Sequence, residues 1–188
     1  MIEREDLNRA VKTLREGGII LYPTDTVWGL GCDATNAEAV TRLRKLKGRG
    51  ASKAMLVLVD SISTLERYVE KVPEIAYDLI ETADSPLTII YDKGKGFAPG
   101  VCGSDGSIGI RVTNEEFSKQ LCRMFRKPVI STSANLAGEI TPSNFDQISE
   151  QVKEMVDYVV ETRREDFSEH LPSHIIKVSD GGVIKIIR

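Results

Sequence analysis

The sequence predicts an α/β protein with a mixed, twisted sheet and helices packed against it. Short apolar runs rich in β-branched residues alternate along the chain with segments whose apolar residues recur at helical spacing. The tail from 173 to 188 adds two β-rich runs that are joined by Asp180-Gly181-Gly182, a typical hairpin signal. Alternating strands and helices build layered domains, and adjacent hairpins make the sheet mixed rather than wholly parallel.

Composition predicts a single globular domain spanning 1–188. The 188 residues suffice for one full core, and 41% of them are apolar and 28% charged. We find no apolar run long enough to cross a membrane and no cleavable leader, so the expected location is the cytoplasm, away from membranes. Three widely spaced cysteines predict free thiols. Pro172 separates His170 from His174, and we predict no protein metal site.

The first part of the chain predicts a helix, a strand, a polar loop and a second helix. Apolar residues at i, i+3, i+4 and i+7 mark the first helix, which two glycines end: Leu7, Ala10, Val11 and Leu14. A strand from Ile19 to Tyr22 stops at Pro23. The loop from Pro23 to Gly31 is rich in hydroxyls and glycine, and Asn36 can cap the helix that follows.

Further along, the sequence predicts five strands and three helices. The predicted strands span 54–59, 87–91, 107–112, 128–132 and 158–160. One predicted helix begins at Pro73, a second begins after Asn114, and a third runs through Phe145, Ile148, Val152 and Val156. Residues 94–107 contain five glycines and one proline and predict a long mobile loop between two strands.

A basic stretch interrupts an acidic chain. Between residues 40 and 59 there are six Lys or Arg and no Asp or Glu, although the formal net charge is -3. This reversal of sign indicates either an anionic partner or a long solvated face. We interpret Arg42, Arg44 and Lys45 as a solvated helix face. For Lys47 and Arg49, which are flanked by glycine, surface charge and phosphate binding are equally good interpretations.

Hydroxyl, amide and cationic side chains cluster at predicted strand ends and loops. Polyphosphate chemistry needs such groups around the phosphoryl oxygens, usually with magnesium, and α/β sheets gather ligands at strand ends. The cations are Lys47, Arg49, Lys53 and Arg111, and the polar groups are Thr24, Thr26, Ser131, Ser133 and Asn135. Turn or cap hydrogen bonds are the alternative for the threonines, Ser133 and Asn135. Asp25 is either a magnesium ligand or a turn residue, and we expect Trp28 to be largely buried.

Short catalytic motifs do not decide the function. The chain has no GxxxxGK[ST] phosphate loop, no GxSxG nucleophile elbow and no HExxH. Residues 29–34 match the GxGxxA form of a dinucleotide fingerprint, but the glycines lie several residues beyond the strand. The acidic ribose partner expected about 20 residues later falls in the basic stretch, and we interpret the match as coincidence.

Six separated motifs together resemble the YrdC/TsaC family of threonylcarbamoyl-AMP synthases. They are PTDTVWGLG (23–31), KGR (47–49), SPLTII (85–90), IGIRV (108–112), STSANLAG (131–138) and PSHII (172–176). The resemblance spans nearly the whole chain and implies a short, single-domain, YrdC-like fold with a concave cationic ligand site. It also implies synthesis of threonylcarbamoyl-AMP and pyrophosphate from L-threonine, bicarbonate and ATP with magnesium. The product would serve downstream proteins that modify an adenosine of tRNA.

The resemblance also implies roles for individual residues. The catalytic cations would be Lys47 and Arg49. The ATP site would comprise Lys47, Arg49, Lys53, Ser107, Ser133, Asn135, Thr141 and Arg188. The threonine site would comprise Thr26, Arg111, Ser131 and Ser173, with Arg111 as the partner of the substrate carboxylate.

The chain departs from the usual family pattern at Gly50, Ala54, Leu58 and His174. Two alternatives therefore stay open. The first is a non-catalytic protein of the same fold that binds double-stranded RNA or tRNA through the basic stretch. The second is a diverged paralogue that uses another acceptor.

Overall fold

The computed structural model describes residues 4–48, 54–168, 170 and 172–188. In this part of the chain the strands are β1 (Ile20–Tyr22), β2 (Gly29–Gly31), β3 (Leu56–Val59), β4 (Leu87–Tyr91), β5 (Ile108–Val112), β6 (Val129–Ser133), β7 (Tyr158–Val159), β8 (His174–Val178) and β9 (Ile184–Ile186). The helices are α1 (Arg4–Arg15), α2 (Ala37–Leu46), α3 (Ile62–Tyr68), α4 (Glu74–Thr82), α5 (Glu116–Phe125) and α6 (Glu150–Glu154).

The sheet is mixed, as the sequence predicts. Its strand order is β7-β1-β2-β6-β3-β5-β4-β8-β9. The pairs β1/β7, β3/β5 and β4/β8 are parallel, and the remaining neighbours are antiparallel. The C-terminal hairpin of β8 and β9 closes one edge, which confirms the prediction from Asp180-Gly181-Gly182.

The first two helices form as their sequence patterns predict. The apolar stripe of α1 is at most 5% exposed at Leu7, Ala10, Val11 and Leu14. Burying one of the larger side chains of this stripe, a leucine or the valine, stabilises the fold by roughly 1.5–3 kcal/mol. The Asn36 Oδ1 accepts hydrogen bonds from the amides of Glu38 and Ala39 at 3.0 and 3.1 Å, so the predicted cap of α2 is confirmed.

Two element predictions were wrong, and one helix was not predicted. Gly29–Gly31 is a strand inside the predicted loop, because β1 and β6 supply hydrogen-bonding partners on both sides that local sequence does not reveal. This position in the sheet also agrees with treating the dinucleotide match as coincidence. Helix α3 was missed. The predicted long helix after Phe145 is a 3-10 turn followed by α6, because Ile148 is extended and Ser149 caps a new helix.

Residues 94–107 form neither helix nor strand, as predicted, but several hydrogen bonds hold the segment against the core. The amide of Met55 donates to the Val101 carbonyl, and that of Ala98 donates to the Ala34 carbonyl, both at 2.9 Å. Val101 is fully buried. These contacts oppose the mobility that the glycine content predicts.

Two arginines of the predicted solvated face of α2 are engaged. Arg44 is only 9% exposed, and its Nη1 donates to the Gly100 carbonyl at 2.5 Å, so its assignment to the solvated face was wrong. Long side chains can bury an aliphatic stem while the guanidinium reaches a backbone acceptor. Arg42 is half-exposed and pairs with Asp157 at 2.6 Å. None of the helices in the described ranges has both the length and the apolar character needed to cross a bilayer.

Candidate functional site

A cavity of about 320 Å³ lies where the loop between β1 and β2 meets strands β5 and β6 and the residues that precede β8 and follow β9. Its lining comprises Thr26, Val27, Trp28, Gly29, Leu56, Arg111, Ser131, Thr132, Ser133, Thr141, Pro172, Ser173 and Arg188. Seven of the residues expected at the substrate sites are among them: Thr26, Arg111, Ser131, Ser133, Thr141, Ser173 and Arg188. The charged members of this lining are both arginines. A cavity with hydroxyls and guanidinium groups suits an anionic ligand.

Arg111 is the buried cation of the cavity. It is 3% exposed, and its Nη2 lies 3.0 Å from Asp25 Oδ1. Burial lowers the pKa of the guanidinium, and Asp25 opposes that effect. Burial also raises the pKa of the Asp25 carboxyl, against the positive charge of Arg111. The two charges stabilise each other where water is excluded, which places Asp25 in an ion pair rather than in a simple turn.

Unused hydrogen-bonding capacity remains in two residues that line this cavity. The Nε of Arg111 and the Oγ1 of Thr132 are buried and have no hydrogen-bond partner among the described residues. Buried polar atoms in folded proteins are normally paired, so such atoms at a cavity indicate a place for a ligand or water. Thr132 was missed by the sequence analysis, although it lies between the two expected serines of β6.

The loop from Pro23 to Trp28 combines a turn with a cavity wall. Thr24 is 2% exposed, and its hydroxyl donates to the Val27 carbonyl at 2.7 Å, so the turn interpretation is right for this residue. The Thr26 hydroxyl lies 3.2 Å from that of Thr24, and Thr26 lines the cavity. Trp28 is 5% exposed and packs on Phe145 with ring centroids 4.8 Å apart, which confirms its burial.

Lys47 is a buried cation beside the end of β6. It is 5% exposed, which excludes the interpretation of Lys47 as a surface charge. Its Nζ donates to the Ser133 carbonyl at 2.7 Å and to the Asn135 carbonyl, and lies 3.3 Å from Asn135 Oδ1. The Asn135 Nδ2 in turn donates to the Glu139 carbonyl at 2.9 Å. The end of α2 is thus fastened to the loop that follows a cavity-lining strand.

The family model described as Sua5_yciO_yrdC, telomere recombination, matches residues 12–188. The chain belongs to the Sua5/YciO/YrdC family. A relative from Pseudoalteromonas translucida (strain TAC 125), named threonylcarbamoyl-AMP synthase, is 34% identical over 164 residues, which are 86% of this chain and 88% of that protein. The expected family is therefore confirmed.

Solved structures of the Sua5/YciO/YrdC family have the same fold. The P. abyssi Sua5 structure, described as complexed with L-threonine, is 26% identical with a TM-score of 0.85; the match covers 94% of this chain and 52% of that one. This chain therefore spans about half of that protein. E. coli YciO is 24% identical with a TM-score of 0.84, and the match covers 99% of this chain and 89% of that one. The YrdC-like fold is confirmed.

Some residues expected from the family resemblance lie elsewhere. Arg49 and Lys53 fall outside the described residues. Ser107 does not line the cavity, and its hydroxyl donates to Asp105 Oδ1 at 2.6 Å. A smaller cavity of about 150 Å³ lies between α4 and the start of β4, and Asp25 is part of its lining, which contains none of the residues expected at the ATP or threonine site.

The described residues do not form a magnesium site of their own. No group of three or more His, Cys, Asp and Glu side chains that could hold a metal ion occurs among them. Asp25, the carboxylate considered as a magnesium ligand, is paired with Arg111.

Proposed function

We propose that this chain is an L-threonylcarbamoyladenylate synthase, a nucleotidyltransferase that forms threonylcarbamoyl-AMP and pyrophosphate from L-threonine, bicarbonate and ATP. The observation that carries the proposal is a single shared cavity. Its lining includes four residues expected at the threonine site and three expected at the ATP site. The name of the Pseudoalteromonas relative and the L-threonine in the P. abyssi Sua5 complex support the same activity. Holding two anionic substrates side by side is the main catalytic requirement, because no protein nucleophile is needed.

On the threonine side, Arg111 binds the substrate carboxylate. Its Nε, which has no partner among the described residues, supplies a buried donor, and carboxylates pair with a guanidinium through two parallel hydrogen bonds. The hydroxyls of Thr26, Ser131 and Ser173 complete this side of the cavity. Arg111 keeps its ion pair with Asp25 through Nη2, which orients the guanidinium before the substrate arrives.

On the nucleotide side, Ser133, Thr141 and Arg188 contact ATP, and Lys47 and Arg49 are the cations that stabilise the reacting phosphates. Lys53, Asn135 and Ser107 belong to the same site in this proposal. The neutral threonine amine bonds to the carbon of carbon dioxide and loses a proton, or bonds to that of bicarbonate while a C–O bond breaks and water leaves; either route gives a carbamate. A carbamate oxygen then bonds to the α-phosphorus while the bond to pyrophosphate breaks.

The cysteines support a reaction without a covalent enzyme intermediate. Burial raises the pKa of the Cys32 thiol to about 12, and burial raises that of Cys122 further. A thiol with such a pKa is protonated at neutral pH and is a poor nucleophile. Neither buried cysteine lines the cavity.

Magnesium enters as the partner of the ATP phosphates in this proposal, in keeping with its usual binding by substrate oxygens. The product passes to downstream tRNA threonylcarbamoyl transferase proteins, with direct tRNA contact as an additional partner. We propose that the protein works in the cytoplasm as a single domain of residues 1–188, away from membranes.

Pyrophosphate release by the purified chain tests the proposal. Reactions contain ATP, magnesium and bicarbonate, with and without L-threonine, and D-threonine is the matched control. We expect release only with L-threonine. Release that is independent of threonine points to a paralogue with another acceptor. Binding of double-stranded RNA that weakens steeply with salt, without any ATP binding, supports the RNA-binding alternative instead.

A further inference from the structure

The turn after β7 is held rigidly at its start. Asp6, which is 2% exposed, accepts hydrogen bonds from the Tyr158 hydroxyl at 2.6 Å and from the amides of Glu161 and Thr162 at 3.0 and 2.8 Å. The Thr162 hydroxyl donates to the same carboxylate at 2.5 Å. A buried carboxylate with four donors fixes the backbone that leads into Arg163.

Arg163 adopts an uncommon backbone conformation. Its φ of 66° lies in the left-handed region, which glycine occupies freely and which costs other residues about 1 kcal/mol or more. A residue persists there when the surroundings compensate, and such positions often cluster at functional sites. Here the conformation accompanies a side chain that is 25% exposed and whose guanidinium makes several polar contacts.

The guanidinium of Arg163 contacts the 23–28 loop, part of which lines the cavity, and the residue that caps α5. Its Nη1 donates to the Thr24 carbonyl and lies 3.1 Å from both that oxygen and Glu115 Oε1. Its Nη2 donates to Asp166 Oδ2 at 2.6 Å and lies 3.0 Å from His170 Nε2. The Ser168 and Arg163 side chains hold the pKa of Asp166 well below its usual range, so this partner stays ionised at neutral pH.

One of the contacted segments carries a residue of the proposed threonine site, and the other follows a strand that carries one. Thr24 precedes Asp25, which pairs with Arg111, and Thr26, which lines the cavity. Glu115 caps α5 by accepting from the amides of Phe117 and Ser118 at 3.0 and 2.7 Å, and α5 follows the strand that carries Arg111. Arg163 therefore connects the loop that carries Asp25 to the helix that follows the strand carrying Arg111.

We propose that Arg163 is a positioning residue that sets the spacing between the 23–28 loop and the start of α5, and thereby the geometry of the threonine site. The effect on threonine rests on the proposed function. Lys47, on the phosphate side, is held by the end of β6 and by residues that Arg163 does not contact. Loss of Arg163 therefore weakens threonine binding more than ATP binding.

Arg163→Gly is the most informative substitution. Glycine accepts the positive φ without strain, so the variant loses the guanidinium contacts while its backbone preference improves. We expect a midpoint of thermal unfolding close to that of the wild type. We also expect KM for L-threonine to rise about tenfold and KM for ATP to change less than about threefold. A tenfold change in affinity is the size expected when hydrogen bonds to charged groups are lost. Arg163→Lys retains the charge and should recover part of the loss.

Arg9→Ala is the matched control, because the Arg9 guanidinium also contacts this segment but not the loop. Its Nη1 lies 3.8 Å from Glu161 Oε1, and the group lies 5.6 Å from the Tyr158 ring centroid. We expect wild-type KM values for both substrates. An unchanged threonine KM in Arg163→Gly, or equal rises in both KM values, would overturn the proposal.

Hydrogen exchange separates this inference from the proposed function. Amides of residues 24–28 should exchange about tenfold faster in Arg163→Gly than in the wild type, and at the wild-type rate in Arg9→Ala. Unchanged exchange in Arg163→Gly would show that the guanidinium does not hold the loop. If the wild-type chain makes no product, the proposed function fails, and exchange of these amides still decides whether Arg163 positions them.

Discussion

Arg111 concentrates the electrostatics of the cavity in one side chain. It is buried, it pairs with Asp25 at 3.0 Å, and its Nε has no hydrogen-bond partner among the described residues. An isolated buried charge is costly, so the arginine and the aspartate depend on each other. Replacing Arg111 by an apolar residue would leave Asp25 uncompensated and would mix a folding defect with a binding defect.

Arg111→Lys avoids this problem because the ammonium keeps a positive charge near Asp25. Lysine lacks the planar pair of N–H groups that a carboxylate accepts from arginine. We expect KM for L-threonine to rise about tenfold or more and KM for ATP to change less than about threefold, in steady-state pyrophosphate assays.

Arg188→Lys is the matched control in the same cavity and should affect ATP more than threonine. Equal losses for both substrates in Arg111→Lys would assign Arg111 to the phosphates rather than to the threonine carboxylate.

Among the elements, β2 shows how closely neighbouring strands approach near the site. A Cβ added at Gly31 would lie 2.6 Å from the Ile130 carbonyl oxygen and 2.6 Å from Tyr22 Cε1. Backbone atoms of β6 cannot yield as a flexible side chain does. We expect Gly31→Ala to lower the free energy of unfolding by about 1–3 kcal/mol in urea titrations.

Gly109→Ala in β5 is the control for that substitution. A Cβ there would meet Thr88 Cγ2 at 3.6 Å, which is ordinary van der Waals contact. Its effect should stay below about 1 kcal/mol. Equal destabilisation by the two variants would mean that strand glycines matter for a reason other than close approach.

The link between α1 and the turn after β7 depends on the charge of Asp6. Burial alone would raise the pKa of this carboxyl, but its hydrogen bonds to Thr162, Tyr158 and Glu161 hold the pKa below its ordinary value. A depressed pKa in the folded state stabilises the protein above the unfolded-state pKa of about 3.9. That stabilisation disappears as the pH falls through the folded-state pKa.

Asp6→Asn should therefore lower the free energy of unfolding by about 1.5–3 kcal/mol at neutral pH. Urea titrations at several pH values should show this gap narrowing below about pH 4, because the wild type loses its ionised carboxylate there. A gap that stays constant from pH 3 to pH 7 would show that the charge of Asp6 does not matter.

For the molecule as a whole, sequence patterns predict the features that depend on interactions between residues close together in the chain. The stripe of α1 and the Asn36 cap depend on neighbours a few residues away, and both are confirmed. β2 and the burial of Arg44 depend on partners far along the chain, such as β6 and Gly100, and were not predicted. The same holds for Arg163, because nothing in its neighbourhood predicts a contact with the Thr24 carbonyl.

The cavity itself was not predictable from spacing or composition. Hydroxyls and cations indicated a phosphorylated ligand, but only the family resemblance assigned them to two substrates. The structure brings seven of the expected residues to one cavity, while Ser107 binds Asp105 instead. The residues Arg49 and Lys53 lie outside the described part, so their roles remain predictions.

Mass spectrometry of the reaction product tests the central claim most directly. The purified chain is incubated with ATP, magnesium, L-threonine and ¹³C-labelled bicarbonate, with unlabelled bicarbonate in parallel. The proposed function predicts threonylcarbamoyl-AMP whose mass increases by that of the label, because the carbamate carbon comes from bicarbonate. Pyrophosphate release with an adenylated product that contains neither threonine nor the label would contradict it.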